Sequence, residues 1–332
     1  MAARLEYPLP AAAFADALLA ATDSATFVAH CHAQAAASAH ATLNLAAAEP
    51  LAETVRLHRP AGWDWFLGDP NEDLRRLVVD YHLGSALNGG YFAVGPDGRI
   101  TQWERNGSGS TALVAWLAEV RARRAVPGTD LTSPASVEAA LADDLAAQPL
   151  AAARMAICRE AADQGRLDAL VTLVEASKTT LSSGTIGYRF TFSSVLWLAA
   201  LYPEAYAADP FRKRAILFFL LLSGHFAARG IAVENDLPIP SDYQMSRGFA
   251  FAGVIAVSPA FTAILRSDAM LDVRSDAVMD YRAAAVAAAR HVGGLTGRED
   301  WLVDGALFGT WRKDPAFKAH SLPPVRCASI WF

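Results

Sequence analysis

The segment from Pro210 to Phe219 constrains the fold most strongly, because three adjacent cations open a stretch that is otherwise almost wholly apolar. Arg212, Lys213 and Arg214 stand at the start of this predicted helix. A helix that is apolar all round belongs inside a protein, and cations in a first turn oppose the helix dipole. These cations are therefore either solvated, or one of them turns into a pocket and pairs with a carboxylate or a substrate anion.

Length and charge exclude several classes of protein. A chain of 332 residues, of which 53% are hydrophobic, can bury a large core. Its formal charge of -5 argues against a protein that grips duplex DNA through many phosphates. The most apolar stretch, 215–222, is far shorter than the ~20 residues of a membrane helix. We expect a small-molecule partner, no duplex nucleic acid and no membrane, and the oligomeric state stays open.

The cysteines and the N-terminus indicate the compartment. Cys31, Cys158 and Cys327 are widely separated and odd in number, which favours a reducing environment over a disulfide framework. Glu6 and Pro8 interrupt the continuous apolar core that a signal peptide needs. The sequence therefore predicts a cytoplasmic protein.

Apolar residues recur at helical spacing along most of the chain, and glycines and prolines separate the segments. We predict a mainly α fold, a single helical domain over residues 1–332. Its N-terminal helical part spans 1–130 and its C-terminal helical part spans 131–332. The predicted helices are 11–21, 24–39, 50–58, 112–124, 136–145, 150–164, 168–176, 192–201, 211–229, 245–256, 276–291 and 300–311.

One region, near residues 77–103, predicts a small β insert. Pro96-Asp97-Gly98 is a turn signal, so 91–94 and 99–103 are expected to pair as a hairpin. No other stretch of the chain favours strands as clearly.

Two short polar clusters could bind ligands, and each has a structural alternative. His30-Cys31-His32 has metal-ligating residue types, but neighbours in a helix point in different directions and a fourth ligand is not evident. We therefore predict no metal and no cofactor. Asn106 to Thr111 has the small residues that let backbone N–H groups meet an anion, but a plain capped turn is the favoured explanation.

Two carboxylates stand in apolar surroundings. Asp242 follows Pro238 and Pro240 and precedes an apolar helix, where it could simply be the N-cap. Asp304 lies on an otherwise apolar helix face, where an ionised side chain is costly unless it is paired or functional. A salt bridge from Asp304 to Arg282 or Arg312 is the structural alternative.

Several short motifs occur in a fixed order along the chain. In these motifs the chain resembles the queuosine salvage family, the queuosine 5′-phosphate N-glycosylases. The resemblance covers the chain from about residue 170 to its end and is thinner before that. The motifs are Pro210-Phe211-Arg212-Lys213-Arg214-Ala215, Ser241-Asp242-Tyr243-Gln244, Asp280-Tyr281-Arg282, Val303-Asp304 with Phe308, Val325-Arg326-Cys327 with Ile330-Trp331-Phe332, and, earlier, His40-Ala41-Thr42-Leu43-Asn44 and the strand-like Leu77-Val78-Val79-Asp80.

This resemblance implies a fold related to the helical DNA glycosylases. It also implies a hydrolase that releases queuine, a 7-deazaguanine-type base used in tRNA modification, from queuosine 5′-phosphate or queuosine. Asp304, near C1′ of the ribose, and Asp242, at the edge of the base, are the implied catalytic residues. The implied substrate-binding residues are His40, Asp80, Lys213, Ser241 and Tyr243.

Departures from the family pattern keep other functions open. Pro240, Gln244 and Gly309 replace an aromatic, an Arg and an acidic residue of the family. One alternative is a divergent nucleoside or nucleotide N-glycosylase that acts on a different base. A second is a nucleoside-binding relative without catalysis. A third is a helical interaction domain in which Lys213, Asp242 and Asp304 form only an internal ion network.

Overall fold

The computed structural model describes residues 6–58, 73–267, 269–327 and 329, and in these the protein is mainly helical, as predicted. The helices are α1 (Ala11–Ala20), α2 (Ser24–Ala37), α3 (Glu49–Leu57), α4 (Leu74–Ala86), α5 (Ser110–Ala122), α6 (Pro134–Ala146), α7 (Ala151–Ala161), α8 (Gln164–Ala176), α9 (Phe192–Leu201), α10 (Pro203–Tyr206), α11 (Lys213–Ala228), α12 (Tyr243–Phe251), α13 (Pro259–Arg266), α14 (Asp276–Thr296), α15 (Asp300–Lys313) and α16 (Pro315–Lys318), with a 3-10 helix at Leu45–Ala48.

Local sequence signals set many of these helix starts. Asp23 accepts a hydrogen bond from the Thr26 amide at 2.7 Å and so caps the N-terminus of α2. Ser133 and Ser136 form a reciprocal capping box at the start of α6. The predicted helices are found close to their predicted bounds, except that the one expected over 245–256 ends at Phe251 and the one expected over 276–291 continues to Thr296.

Short antiparallel strands connect and brace the helices. β2 (Phe92–Val94) pairs with β3 (Ile100–Gln102), with Ala93 opposite Thr101, which confirms the predicted hairpin. The remaining strands were not predicted: β1 (Ala41–Leu43) pairs with β7 (Ile255–Val257), and β4 (Lys178–Thr180), β5 (Ile186–Thr191) and β6 (Ala232–Asp236) form a three-stranded sheet in that order.

The strand-like reading of residues 77–80 is wrong, because these residues form the first half of α4. Asp73 caps that helix by accepting from the Arg76 amide at 3.0 Å. Every residue from Leu77 to Ala86 is buried, so the apolar run reflects a helix enclosed on all sides. A short apolar run does not by its pattern distinguish a buried strand from a buried helix.

The chain divides into two compact units. The terminal unit comprises the described parts of Met1–Pro60 and Asn235–Cys327. The central unit comprises the described parts of Ala61–Glu234 and Ala328–Phe332. These boundaries differ from the predicted division at residue 130, and the single domain over 1–332 stays a prediction.

Each unit has a helical centre. In the terminal unit α14 packs against α2, α3, α12, α15 and β1. In the central unit α11 packs against α4 and α9, and its residues Lys213 to Phe226 are all buried. Among the described residues no helix combines the length and the apolar character needed to cross a membrane.

Candidate functional site

The start of α12 holds Asp242 in a fixed position. Its Oδ1 accepts hydrogen bonds from the backbone amides of Gln244 at 2.9 Å and Met245 at 3.0 Å. The capping role considered for Asp242 is therefore present in the structure. Because both bonds end on Oδ1, neither of them occupies Oδ2.

Ser241 lies directly before this cap and shares three hydrogen bonds with Arg282 of α14. The Ser241 hydroxyl donates to the Arg282 carbonyl at 2.9 Å, and Arg282 Nε and Nη2 donate to the Ser241 carbonyl at 3.1 and 3.0 Å. Both residues are fully buried. Tyr243, the next predicted substrate-binding residue, is also buried, at the first position of α12.

Asp304 lies on α15 with 3% of its surface exposed. Arg312, one of the two arginines considered as its partners, is exposed in the last turn of α15, and the salt bridge considered for Asp304 stays a prediction. Val303, Ala306 and Leu307 of the same helix are buried as well.

The helices that carry Asp242 and Asp304 are in direct contact. α12 packs on α15, where the rings of Phe249 and Trp311 meet edge to face with centroids 5.3 Å apart. Asp242 and Asp304 each lie about two helical turns before this contact, on the N-terminal side of their own helix.

The turn that contains His40 is held by hydrogen bonds to the side chain of Ser38. Its backbone amide and that of Ala41 each donate to Ser38 Oγ at 3.0 Å. The Ser38 hydroxyl in turn donates to Asp280 Oδ2 at 2.7 Å, and Gln34 Nε2 donates to Asp280 Oδ1 at 2.8 Å. Burial raises the pKa of Asp280, and the two donated hydrogen bonds act against that rise.

Lys213 is the first residue of α11, and 2% of its surface is exposed. Its ammonium group donates to Asn88 at the carbonyl oxygen and at Oδ1, 2.9 Å in each case. Its backbone amide donates to Asp209 Oδ2 at 2.9 Å. The buried carboxylate of Asp209 supplies negative charge at the helix start, where the cations oppose the dipole.

The other two cations of the opening motif are also buried and bound to backbone carbonyls. Arg212 has a left-handed backbone with φ 52° and donates to Ala207 O at 2.8 Å. Arg214 donates to Ala86 O at 2.5 Å, and burial lowers its pKa to about 10. The solvated alternative for these cations is therefore wrong.

Arg154 was not singled out by the sequence, although it is fully buried and binds the same loop. It donates to the carbonyls of Leu87 at 2.8 Å, Gly89 at 2.6 Å and Pro149 at 2.9 Å. Together with Lys213, it fixes the segment after α4. The only available signal was an Arg directly after the three alanines that open α7.

Asp80 lies on α4 and forms an ion pair with Arg121 of α5. Burial raises the pKa of the Asp80 carboxyl to about 7, against the lowering influence of Arg76. A carboxyl with that pKa exchanges its proton near neutral pH.

The structure gathers the predicted site residues into two groups. His40, Ser241, Asp242, Tyr243 and Asp304 belong to the terminal unit. Asp80 and Lys213 belong to the central unit. Of the C-terminal family motif, the segment 330–332 lies outside the described residues.

The remaining candidates from the sequence lie in α2 and in the turn before α5. His30 Nδ1 hydrogen-bonds the Tyr7 hydroxyl, and Cys31 is fully buried. Within the described residues no group of three His, Cys, Asp or Glu side chains could hold a metal ion. Gly109 has φ 60° and precedes α5, with no side-chain cap.

One surface cavity of about 620 Å³ lies in the central unit, lined by residues such as Ser133, Glu160 and Arg166. It includes none of the predicted site residues. Two of its charged groups bind each other, since Arg166 Nη1 donates to Glu160 Oε1 at 2.5 Å. No protein-family model matches the chain, and no curated protein matches it.

Proposed function

We propose that the protein is an N-glycosyl hydrolase that releases a 7-deazaguanine-type base, queuine, from queuosine 5′-phosphate or queuosine. One observation carries the proposal: two carboxylates, Asp242 and the buried Asp304, lie on helices of the terminal unit that pack directly on each other. Hydrolysis of an N-glycosidic bond needs one group to orient the base and another to act at the sugar. The motif order along the chain supplies the substrate class.

The substrate explains why a buried carboxylate is needed. A 7-deazaguanine has carbon at position 7, so protonation at N7 cannot help the base to leave. The site must instead stabilise the positive charge that develops on the ribose as the C1′–N9 bond breaks. A buried carboxylate stabilises this positive charge strongly, because the local dielectric is low.

Asp304 is proposed to act at C1′. As the C1′–N9 bond breaks, the bonding electron pair stays with the base and the ribose becomes an oxocarbenium ion. A water oxygen then bonds to C1′ and that water gives one proton to Asp304. One proton passes to N9 of the departing base, from Asp304 or through solvent, and Asp304 returns to its ionised form. Atoms and charge balance without a cofactor.

Asp242 is proposed to bind the base. The N1–H and exocyclic amine of a guanine-like ring are adjacent donors, and a carboxylate accepts from both. The hydrogen bonds from Gln244 and Met245 hold this carboxylate through Oδ1, so its orientation is set before substrate arrives. Pre-orientation of this kind reduces the entropy lost on binding.

The test is chromatographic detection of free base after incubation of the purified protein with queuosine, queuosine 5′-phosphate, guanosine and GMP. We expect queuine from one or both queuosine compounds, and the ratio of their rates shows whether the 5′-phosphate contributes to recognition. Release of guanine alone would favour the divergent glycosylase. If no base is released by any compound, the hydrolase proposal is wrong.

A second candidate, a nucleoside-binding protein without catalysis, is favoured by Gly309. The family carries an acidic residue here, whereas this α15 position has no side chain, and a Cβ added to it would meet no atom within 4 Å. A binder would show a ligand-dependent rise in melting temperature with no product.

A further inference from the structure

Helix α14 runs through the centre of the terminal unit, and its residues from Val278 to Ala289 are all buried. Within this stretch Asp280 carries a carboxylate and Arg282 carries a guanidinium group, and burial of either group costs free energy. Buried ionic groups often contribute less stability than apolar residues of similar size. The presence of Asp280 and Arg282 is better explained by the two chain segments that they bind.

Asp280 holds the turn that carries His40. Its carboxylate receives the Ser38 hydroxyl proton and one Gln34 amide proton. Ser38 Oγ therefore donates to Asp280 while its lone pairs accept the His40 and Ala41 amides, which uses the full capacity of a hydroxyl. The position of His40 is thereby tied to the charge state of Asp280.

Gln34 cannot exchange its amide oxygen and nitrogen to suit a different partner. Its Oε1 accepts from the Leu9 amide at 2.8 Å, and its Nε2 donates to the Leu9 carbonyl at 2.9 Å. An asparagine at position 280 would have to place its own amide nitrogen against a donor, either that of Gln34 or that of Ser38. The network therefore specifies a carboxylate.

Arg282 holds the start of α12 in the same manner. Two of its N–H groups converge on the Ser241 carbonyl, and its own carbonyl accepts the Ser241 hydroxyl. Asp242 is the next residue along the chain. Residues two apart in a helix project about 200° from each other, so one turn of α14 holds two different segments.

We propose that Asp280 and Arg282 are positioning residues, through which α14 sets the placement of His40 and Asp242 relative to each other. This inference rests on the proposed function for its catalytic consequence, but the positioning itself is measurable without activity. His40 and Asp242, the two predicted ligand-contacting residues, then both depend on the rigid helix α14 for their positions. This arrangement favours a site that is pre-organised for its substrate.

The first test is residue-level amide hydrogen exchange on the whole chain. Asp280→Asn is expected to speed exchange of the His40 and Ala41 amides about tenfold and to leave the Gln244 and Met245 amides unchanged. Arg282→Lys, which loses the bidentate contact, is expected to produce the opposite pattern. Unchanged exchange in both sets, or equal acceleration of all four amides, would overturn the inference.

Control variants distinguish a loss of positioning from a general loss of stability. Asp276→Asn changes the carboxylate one turn earlier on α14, which accepts from the Ala11 amide, and it is expected to leave all four amides as in the wild type. If Asp280→Asn does not fold, Ser38→Ala removes the same link by deleting the hydroxyl. Wild-type protection of the His40 amide in Ser38→Ala would equally overturn the inference.

The second test is kinetic and applies to queuosine 5′-phosphate or queuosine, whichever the wild type cleaves. Asp280→Asn is expected to raise KM about fivefold to tenfold, the effect of one hydrogen bond, and to add nothing further in a His40→Ala background. Additive effects of the two substitutions would contradict positioning through His40. Absence of base release by the wild type would contradict the hydrolase proposal alone, since the exchange pattern decides the positioning separately.

Discussion

Gly248 and Trp311 touch so closely that no other residue fits at position 248 without movement. A Cβ built on Gly248 would lie 2.1 Å from Cε3 and from Cζ3 of Trp311. The contact joins α12 to α15, the helices that carry Asp242 and Asp304. The spacing between the two proposed catalytic helices therefore depends on the absence of one side chain.

Gly248→Ala is expected to destabilise the fold by about 1–3 kcal/mol, because the extra methyl group must push the Trp311 ring and its helix aside. The measurement is the free energy of unfolding from a urea titration. Gly309→Ala on α15 is the matched control, since its new Cβ would meet no atom within 4 Å. That control should gain about 0.5–1 kcal/mol from the better helix propensity of alanine. Equal effects of the two substitutions would show that the Trp311 contact is not tight.

Lys213 is expected to stabilise the loop after α4. In Lys213→Met, the carbonyl and Oδ1 of Asn88 lose a buried donor, which costs about 1–3 kcal/mol for unsatisfied groups. The free energy of unfolding should fall by that amount. Lys178→Met changes an exposed lysine of β4 and is expected to have little effect. An unchanged unfolding midpoint in Lys213→Met would mean that the Asn88 contact contributes nothing.

Asp80 is expected to make stability fall as the pH rises from about 4 to about 7. Its pKa in the folded chain, about 7, lies above the ordinary value of about 3.9 that applies in the unfolded chain. The folded chain therefore keeps a proton that the unfolded chain has lost across this window. Its contribution is complete below about pH 4 and is lost as the pH rises through about 7.

The measurement compares wild type with Asp80→Asn by urea unfolding at a series of pH values. The amide of the substituted side chain has no proton to lose in this range, so stability should fall less steeply with pH in the variant than in the wild type. Asp97→Asn, at an exposed turn, should keep the wild-type slope. The same slope in wild type and Asp80→Asn would contradict the raised pKa.

The helices were predictable because their signals are local. Asp23 and Asp242 precede apolar helical patterns, and both proved to be N-caps. The strands β1 and β7 were not predictable in this way, since Ala41 pairs with Val257 and the partners are far apart in sequence. Three-residue strands carry too little pattern to be recognised alone.

The contacts of the site were less predictable than its residues. The sequence singled out Lys213 as a candidate pocket cation, but its acceptor Asn88 lies in a glycine-rich loop with no matching charge. Asp280 and Arg282 were noted only as a motif, because their partners Ser38 and Ser241 are ordinary serines. Such partners become visible only when the chain is folded.

Asp304→Asn and Asp242→Asn are expected to separate chemistry from recognition. Asp304→Asn removes the negative charge proposed at C1′ and should lower kcat about 10²–10⁴-fold with little change in KM. Asn is as good an N-cap as Asp, so Asp242→Asn should keep the stability of α12. It should nevertheless raise KM about 10- to 100-fold, because an amide cannot accept both donors of a guanine-like edge. Base release is measured for both variants beside urea unfolding, and wild-type kcat in a folded Asp304→Asn protein would exclude Asp304 from catalysis.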